Sequence, residues 1–98
     1  MSGYDSQNYT ATGNGGEVII DEKSAGLLRI GGTFSGTVQL QVQKGNDLQR
    51  TLAESDWITV SEYTEPTVQN IEGAKRLRFR TKMSAFTSGQ ADVELNGS

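Results

Sequence analysis

From Glu17 onward the chain alternates apolar and polar residues with a period of two. Val18 and Ile20 point one way, with Glu17, Ile19 and Asp21 the other. Leu28 and Ile30 flank Arg29, and Val38, Leu40 and Val42 alternate with Gln39, Gln41 and Gln43. A period of two places alternate residues on opposite faces of a strand. Trp57–Tyr63 is β-branched and aromatic, as strands prefer, and Val68 and Ile71 predict a further short strand. Leu77, Phe79, Thr81 and Met83 oppose Arg76, Arg78, Arg80 and Lys82, and Ala91, Val93 and Leu95 oppose Asp92 and Glu94. Turn residues punctuate these runs at Gly31-Gly32, Ser35-Gly36, Gly45-Asn46-Asp47, Glu72-Gly73 and Ser88-Gly89. The pattern predicts an all-β fold, an antiparallel β-sandwich with jelly-roll character and about seven to eight short strands. One helical spacing occurs, Leu48 to Leu52 within Asp47–Ser55; it is too short to stand alone, and a loop or ragged strand is expected there.

Residues 1–16 differ in character. They are rich in Ser, Gly, Asn and Thr, with Tyr4 and Tyr9 as the large anchors. Such a segment buries little surface against its ordering entropy. We expect an irregular, extended N-terminal arm over 1–16 and a single sandwich domain over 17–98. If the arm docks on a neighbour, Tyr4 and Tyr9 are its contacts, since tyrosine supplies area with few torsions to freeze.

Composition then narrows the chemistry. The 98 residues include no histidine and no cysteine. That removes the commonest general base, the commonest metal ligand, disulfides and thiolate sites. No Ser-x-x-Lys or Gly-x-Ser-x-Gly occurs, and the carboxylates Asp56, Glu62 and Glu65 read as solvated surface. Asn46-Asp47 and Glu54 with Asp56 are too thin a donor set for calcium. Gly13-Asn14-Gly15-Gly16 lacks the Lys-Ser/Thr and helix of a phosphate loop. The expectation is a non-enzymatic protein with no catalytic residues, cofactor or metal. The N-terminus lacks the basic and apolar regions of a signal peptide, and the reading is a soluble protein made in a cytoplasm, with no membrane partner.

Net charge is −3, unevenly placed: residues 1–74 hold four Lys/Arg and ten Asp/Glu, residues 75–98 five and two. The acidic body argues against nucleic acid as a partner. The basic stripe is read mainly as internal pairing. Thr87-Ser88-Gly89 would close a hairpin in which Lys82 faces Asp92 and Arg80 faces Glu94. That leaves Arg76 and Arg78 as candidates for an intermolecular contact, for which arginine's planar fork is suited. Trp57, the one tryptophan, reads as core; exposed, it would serve as a sugar-stacking or interface residue.

Several stretches carry a resemblance: Gly32-Thr33-Phe34-Ser35-Gly36-Thr37-Val38-Gln39-Leu40, Asp56-Trp57, Tyr63-Thr64, Arg76-Leu77-Arg78-Phe79-Arg80, and Thr87-Ser88-Gly89 before Val93-Glu94-Leu95. Together, over residues 27–96, they resemble the small β-sandwich structural proteins of tailed bacteriophages, of the capsid-decoration (cement) or head-fibre type. The resemblance implies a virion protein on the capsid surface that binds and stabilises the assembled shell of the major capsid protein, as a homotrimer. A tail or connector component, or a carbohydrate-binding sandwich module, are the other functions this pattern serves.

Overall fold

The computed structural model describes residues 3–20, 26–45, 51–71 and 77–97. Among them are nine strands: β1 (Gly3–Tyr9), β2 (Gly13–Asn14), β3 (Val18–Ile20), β4 (Gly26–Gly31), β5 (Phe34–Gln43), β6 (Trp57–Tyr63), β7 (Thr67–Ile71), β8 (Leu77–Gly89) and β9 (Ala91–Gly97). They form two antiparallel sheets. Sheet A runs β1-β9-β4-β7; sheet B runs β2-β8-β5-β6, with β3 also on β8. The expected all-β sandwich is therefore present, with more strands than the periodicity resolved.

The centre of both sheets is one long antiparallel ribbon folded in half. Its first sheet-A pair is Gly26↔Gly97 and its last Gly31↔Asp92. A bond of 2.9 Å from the Gln90 amide to the Thr33 carbonyl carries the ladder across the fold. It resumes in sheet B at Phe34↔Gly89 and runs to Val42↔Phe79. Strands change sheets at such corners through bends that ordinary residues tolerate poorly. Here the bends are Gly32, at φ 88°, and Gly89, at φ 90°. A Cβ on Gly32 would lie 2.4 Å from the Gln90 oxygen, and one on Gly89 2.1 Å from the Thr33 oxygen. Both conformation and contact require glycine.

Folding the ribbon brings its apolar faces together. Leu28, Ile30, Val93 and Leu95 from sheet A meet Val38, Leu40, Phe79 and Met83 from sheet B, with Val18, Ile20, Ile71, Ala91 and Tyr9 completing the buried core. Fully burying each large aliphatic side chain contributes about 1.5–3 kcal/mol. The inward positions of β4, β5, β8 and β9 are those the alternation predicts.

Two expectations are corrected. First, the N-terminal segment is not an irregular arm. Gly3–Tyr9 pairs along its whole length with β9, from Gly3↔Gly97 to Tyr9↔Ala91, and Gly13 and Asn14 pair with β8. Its outward residues are polar and exposed, so its own sequence shows no apolar face; the free edge of β9 orders it. Second, Thr87-Ser88-Gly89 does not close a hairpin. It ends β8 at the corner, and β9 continues in the other sheet. Arg80 and Lys82 thus lie in a different sheet from Glu94 and Asp92 and do not face them. The Phe34 and Phe86 segments, which echo one another in sequence, are ladder neighbours: Ser35 faces Ser88 and Gly36 faces Phe86, leaving Thr87 as an extra bulged residue of β8.

Candidate interaction surfaces

The outer face of sheet B carries Gln39, Gln41 and Gln43 of β5 beside Arg78, Arg80 and Lys82 of β8 and Trp57 and Thr59 of β6, as their registers require. The alternation predicts a polar outer face, and it is polar, but much of it is buried. Gln41, Gln43, Arg78 and Arg80 are 6%, 2%, 9% and 6% exposed. A short 3-10 turn at Glu54–Asp56 delivers Glu54 to the cationic side chains. It is fixed locally by the Asp56 carboxylate, which accepts the Ala53 amide at 2.8 Å, and by the Asp56 carbonyl, which accepts the Lys44 amide at 2.6 Å.

Arg80 organises this cluster. Its Nε donates to Gln41 Oε1 at 2.7 Å, its Nη2 donates to Glu54 Oε1 at 2.7 Å, and its guanidinium lies 4.5 Å from the Trp57 ring centroid. Lys82 Nζ donates to the same Glu54 oxygen at 3.0 Å. The hydrogen bonds from Arg80 and Lys82 hold the Glu54 carboxyl down at about 2, against an ordinary value of 4.5. The acidic partner of the basic stripe is therefore Glu54, not the acids of β9. Sequence reasoning missed Glu54 in this role, since no period links a turn residue to a strand more than twenty positions later.

Arg78 is also turned inward. Its amide donates to Gln43 Oε1 at 2.8 Å and its Nη1 to Glu17 Oε1 at 3.1 Å. Its side chain is 10% exposed, where the sequence predicts a residue open to a partner. Arg76 lies outside the described residues. Tyr9 is likewise a core residue, 6% exposed, with its hydroxyl 3.0 Å from Thr81 Oγ1. Burial first, and the nearby Asp5 carboxylate in lesser part, raise its pKa above 10.0. It anchors β1 within the sandwich. Trp57 is half-buried under Arg80, neither core nor an open platform.

Tyr4, expected as a contact of the arm, lies on the surface. It is 58% exposed on the outer face of sheet A, and its hydroxyl donates to Glu94 Oε2 at 2.8 Å. Glu94 lies beside Arg29 in the ladder, with Nη1 3.9 Å from Oε1. Val68 is opposite Arg29 on β7 and is 67% exposed. Ser6, Asn8, Asp92, Asn96 and Asn70 on the same face are exposed, and Leu27 and Gly31 on it are half-buried. Among the described residues no element covers it.

A third surface opens where the sheets part between β6 and β7. It is a cleft of about 590 Å³ bounded by Leu40, Val42, Leu77 and Phe79 below and by β6 and β7 at the rim. Leu40 faces Ser61 and Gln41 faces Thr59, so Val60 is an extra residue of β6 that bulges at the mouth.

Among the described residues no group of three or more acidic, histidine or cysteine side chains is placed to hold a metal ion, and no helix is long and apolar enough to cross a membrane. Among the described residues these arrangements define an all-β sandwich with one outer face largely buried by its own side chains and the other open. Comparison with protein families, with curated proteins and with solved structures finds no match to this chain.

Proposed function

We propose that this is a non-enzymatic structural protein, a capsid-decoration subunit that binds the assembled shell of a tailed bacteriophage and stabilises it. The observation that carries the reading is the open outer face of sheet A. It is a continuous four-stranded surface with exposed Tyr4 and Val68 as anchors and amides, hydroxyls and the Glu94–Arg29 pair around them. Polar, wet contacts around a few aromatic or apolar anchors suit a protein that docks repeatedly on a lattice. The sequence resemblance supplies the shell as the partner and the homotrimer as the assembly state.

Co-sedimentation tests it. Phage heads lacking this chain are incubated with the wild-type protein and with the Tyr4→Ala, Val68→Lys double variant. Saturable binding of the wild type and its loss in the variant are expected, with a trimer seen by light scattering. Binding to neither heads nor any other virion part, by a protein that stays monomeric, overturns the reading.

A further inference from the structure

The two open sides of the sandwich are filled differently. On the β1 side, Tyr9 and Asp5 close the gap against Gly15, Gly16 and Thr81, so tightly that a Cβ on Gly16 would lie 2.6 Å from the Asp5 carboxylate. On the β6–β7 side no described residue plugs the gap in the same way, and a cleft of about 590 Å³ remains among the described residues, well within the size of small-molecule sites.

Its chemistry is specific. The ten described lining residues are without formal charge at neutral pH: Leu40, Val42, Leu77, Phe79 and Ile71 make the apolar body, and Val60 stands at the rim. The polar groups are few and neutral. Ser61 Oγ and Tyr63 Oη are hydrogen-bonded at 3.0 Å, which leaves the pair one hydroxyl hydrogen to donate outward and free lone pairs to accept. Gln69 stands opposite Leu28 in the ladder, an inward position where the strand alternation calls for an apolar side chain. Gln69 is instead an exposed lining residue, with its Nε2 donating to the Asn70 carbonyl at 3.0 Å. An apolar body with a few hydrogen-bonding groups at one side is the general form of a small-ligand site. Among the described residues the lining holds no cation, which discriminates against anions, because a carboxylate entering it would lose hydration with no countercharge from them.

We propose that this cleft binds a neutral, largely apolar small molecule bearing a single hydroxyl, of the long-chain alcohol class. Its chain lies on Leu40, Val42, Leu77 and Phe79, and its hydroxyl joins the Ser61–Tyr63 pair. The site lies between the sheets, apart from the outer face of sheet A, and stands or falls independently of shell binding.

The probe is N-phenylnaphthylamine, whose fluorescence rises in apolar sites. Trp57 lies on the opposite face of sheet B, so intrinsic fluorescence is not the readout. Saturable enhancement is expected with the full chain. Dodecanol should displace the dye at a concentration roughly tenfold below that of dodecanoate, which has the same chain but a charge. Val60→Glu, at a site already 54% exposed and so tolerant of the change, should weaken dye uptake by about tenfold at an unchanged melting temperature. Tyr63→Phe with Ser61→Ala should leave dye uptake intact while removing the preference for dodecanol. Absence of saturable enhancement, uptake unaffected by Val60→Glu, or equal displacement by dodecanoate overturns the proposal. So does a wild-type dimer without dye uptake that Val60→Glu converts to a monomer, because the cleft would then hold a second copy of the chain.

Discussion

The two outer faces of this sandwich carry comparable polar residues and use them in opposite ways. Sheet B has three cations in a row on β8, and its turn supplies Glu54 to two of them. Arg80 is locked between Gln41, Glu54 and Trp57 and nearly excluded from water. Sheet A has Arg29 and Glu94 at the looser distance of 3.9 Å, with side chains 60% and 40% exposed. The first arrangement contributes to folding, since a buried guanidinium without its partners is costly. The second contributes little, because solvent screens it and two long side chains must be ordered to make it. Charge on a sheet face therefore reveals nothing until its cover is known: the covered face holds the fold and the open one is free to hold something else.

The strongest way to break the comparison is to break the corner that makes two faces out of one ribbon. Gly89→Ala places a methyl against the Thr33 carbonyl at a positive φ and should destabilise the protein by about 4 kcal/mol or more, read by urea unfolding. Next comes Arg80→Ala, which strands Gln41 and uncovers Trp57; a loss of about 3 kcal/mol is expected. Arg80→Met should recover part of that, because it restores packing on the Trp57 ring without a buried charge. Equal losses for the two variants would show that the hydrogen bonds, not the packing, matter there.

A third test uses pH. The folded-state pKa of Glu54 is depressed from 4.5 to about 2, so the ionised carboxylate favours the folded state. That contribution is fully present above about pH 4.5 and is lost as pH falls through about 2. Glu54→Gln should therefore melt at a lower temperature than the wild type at neutral pH, and the gap should close progressively between those values. A gap that stays constant down to pH 2 would remove Glu54 from the cluster's energetics. The smallest effect is expected on the other face. Arg29→Ala and Tyr4→Ala should each change stability by less than about 0.5 kcal/mol. A larger loss from Arg29→Ala would show that sheet A's face is also a stabilising one.

The contrast also explains what was legible in the chain. Alternation identifies the inward residues of β4, β5, β8 and β9, because a half-buried strand must keep its apolar side toward the core. It assigns Arg78, Arg80 and the glutamines correctly to the outer side. It carries no information on what lies above that side, so Arg78 looks available for a partner when it is bonded to Glu17. It also leaves β1 invisible: Tyr9 is its one buried hydrophobic, and the strand's order comes from pairing with a sequence some ninety residues away. Ser88-Gly89 reads as a hairpin turn because a corner between sheets asks for the same residue. The cleft is hidden for a related reason. Gln69 breaks the alternation of β7, and a polar residue at an inward position can mark either a loop or a lined cavity.

The folded ribbon has a consequence for how the molecule is made. Its outermost ladder pairs join residues 26 and 97, and β1 leans on that same last strand through Gly3↔Gly97. In order of synthesis, β9 is the last described strand, yet it lies between β1 and β4 and is a centre of sheet A. While a ribosome is still extending the chain, β1 and β4 have no template between them, and half of the core has no opposing wall. Folding must then wait for the C-terminal stretch and close over long sequence separations, which places it among the slow, millisecond-to-second topologies.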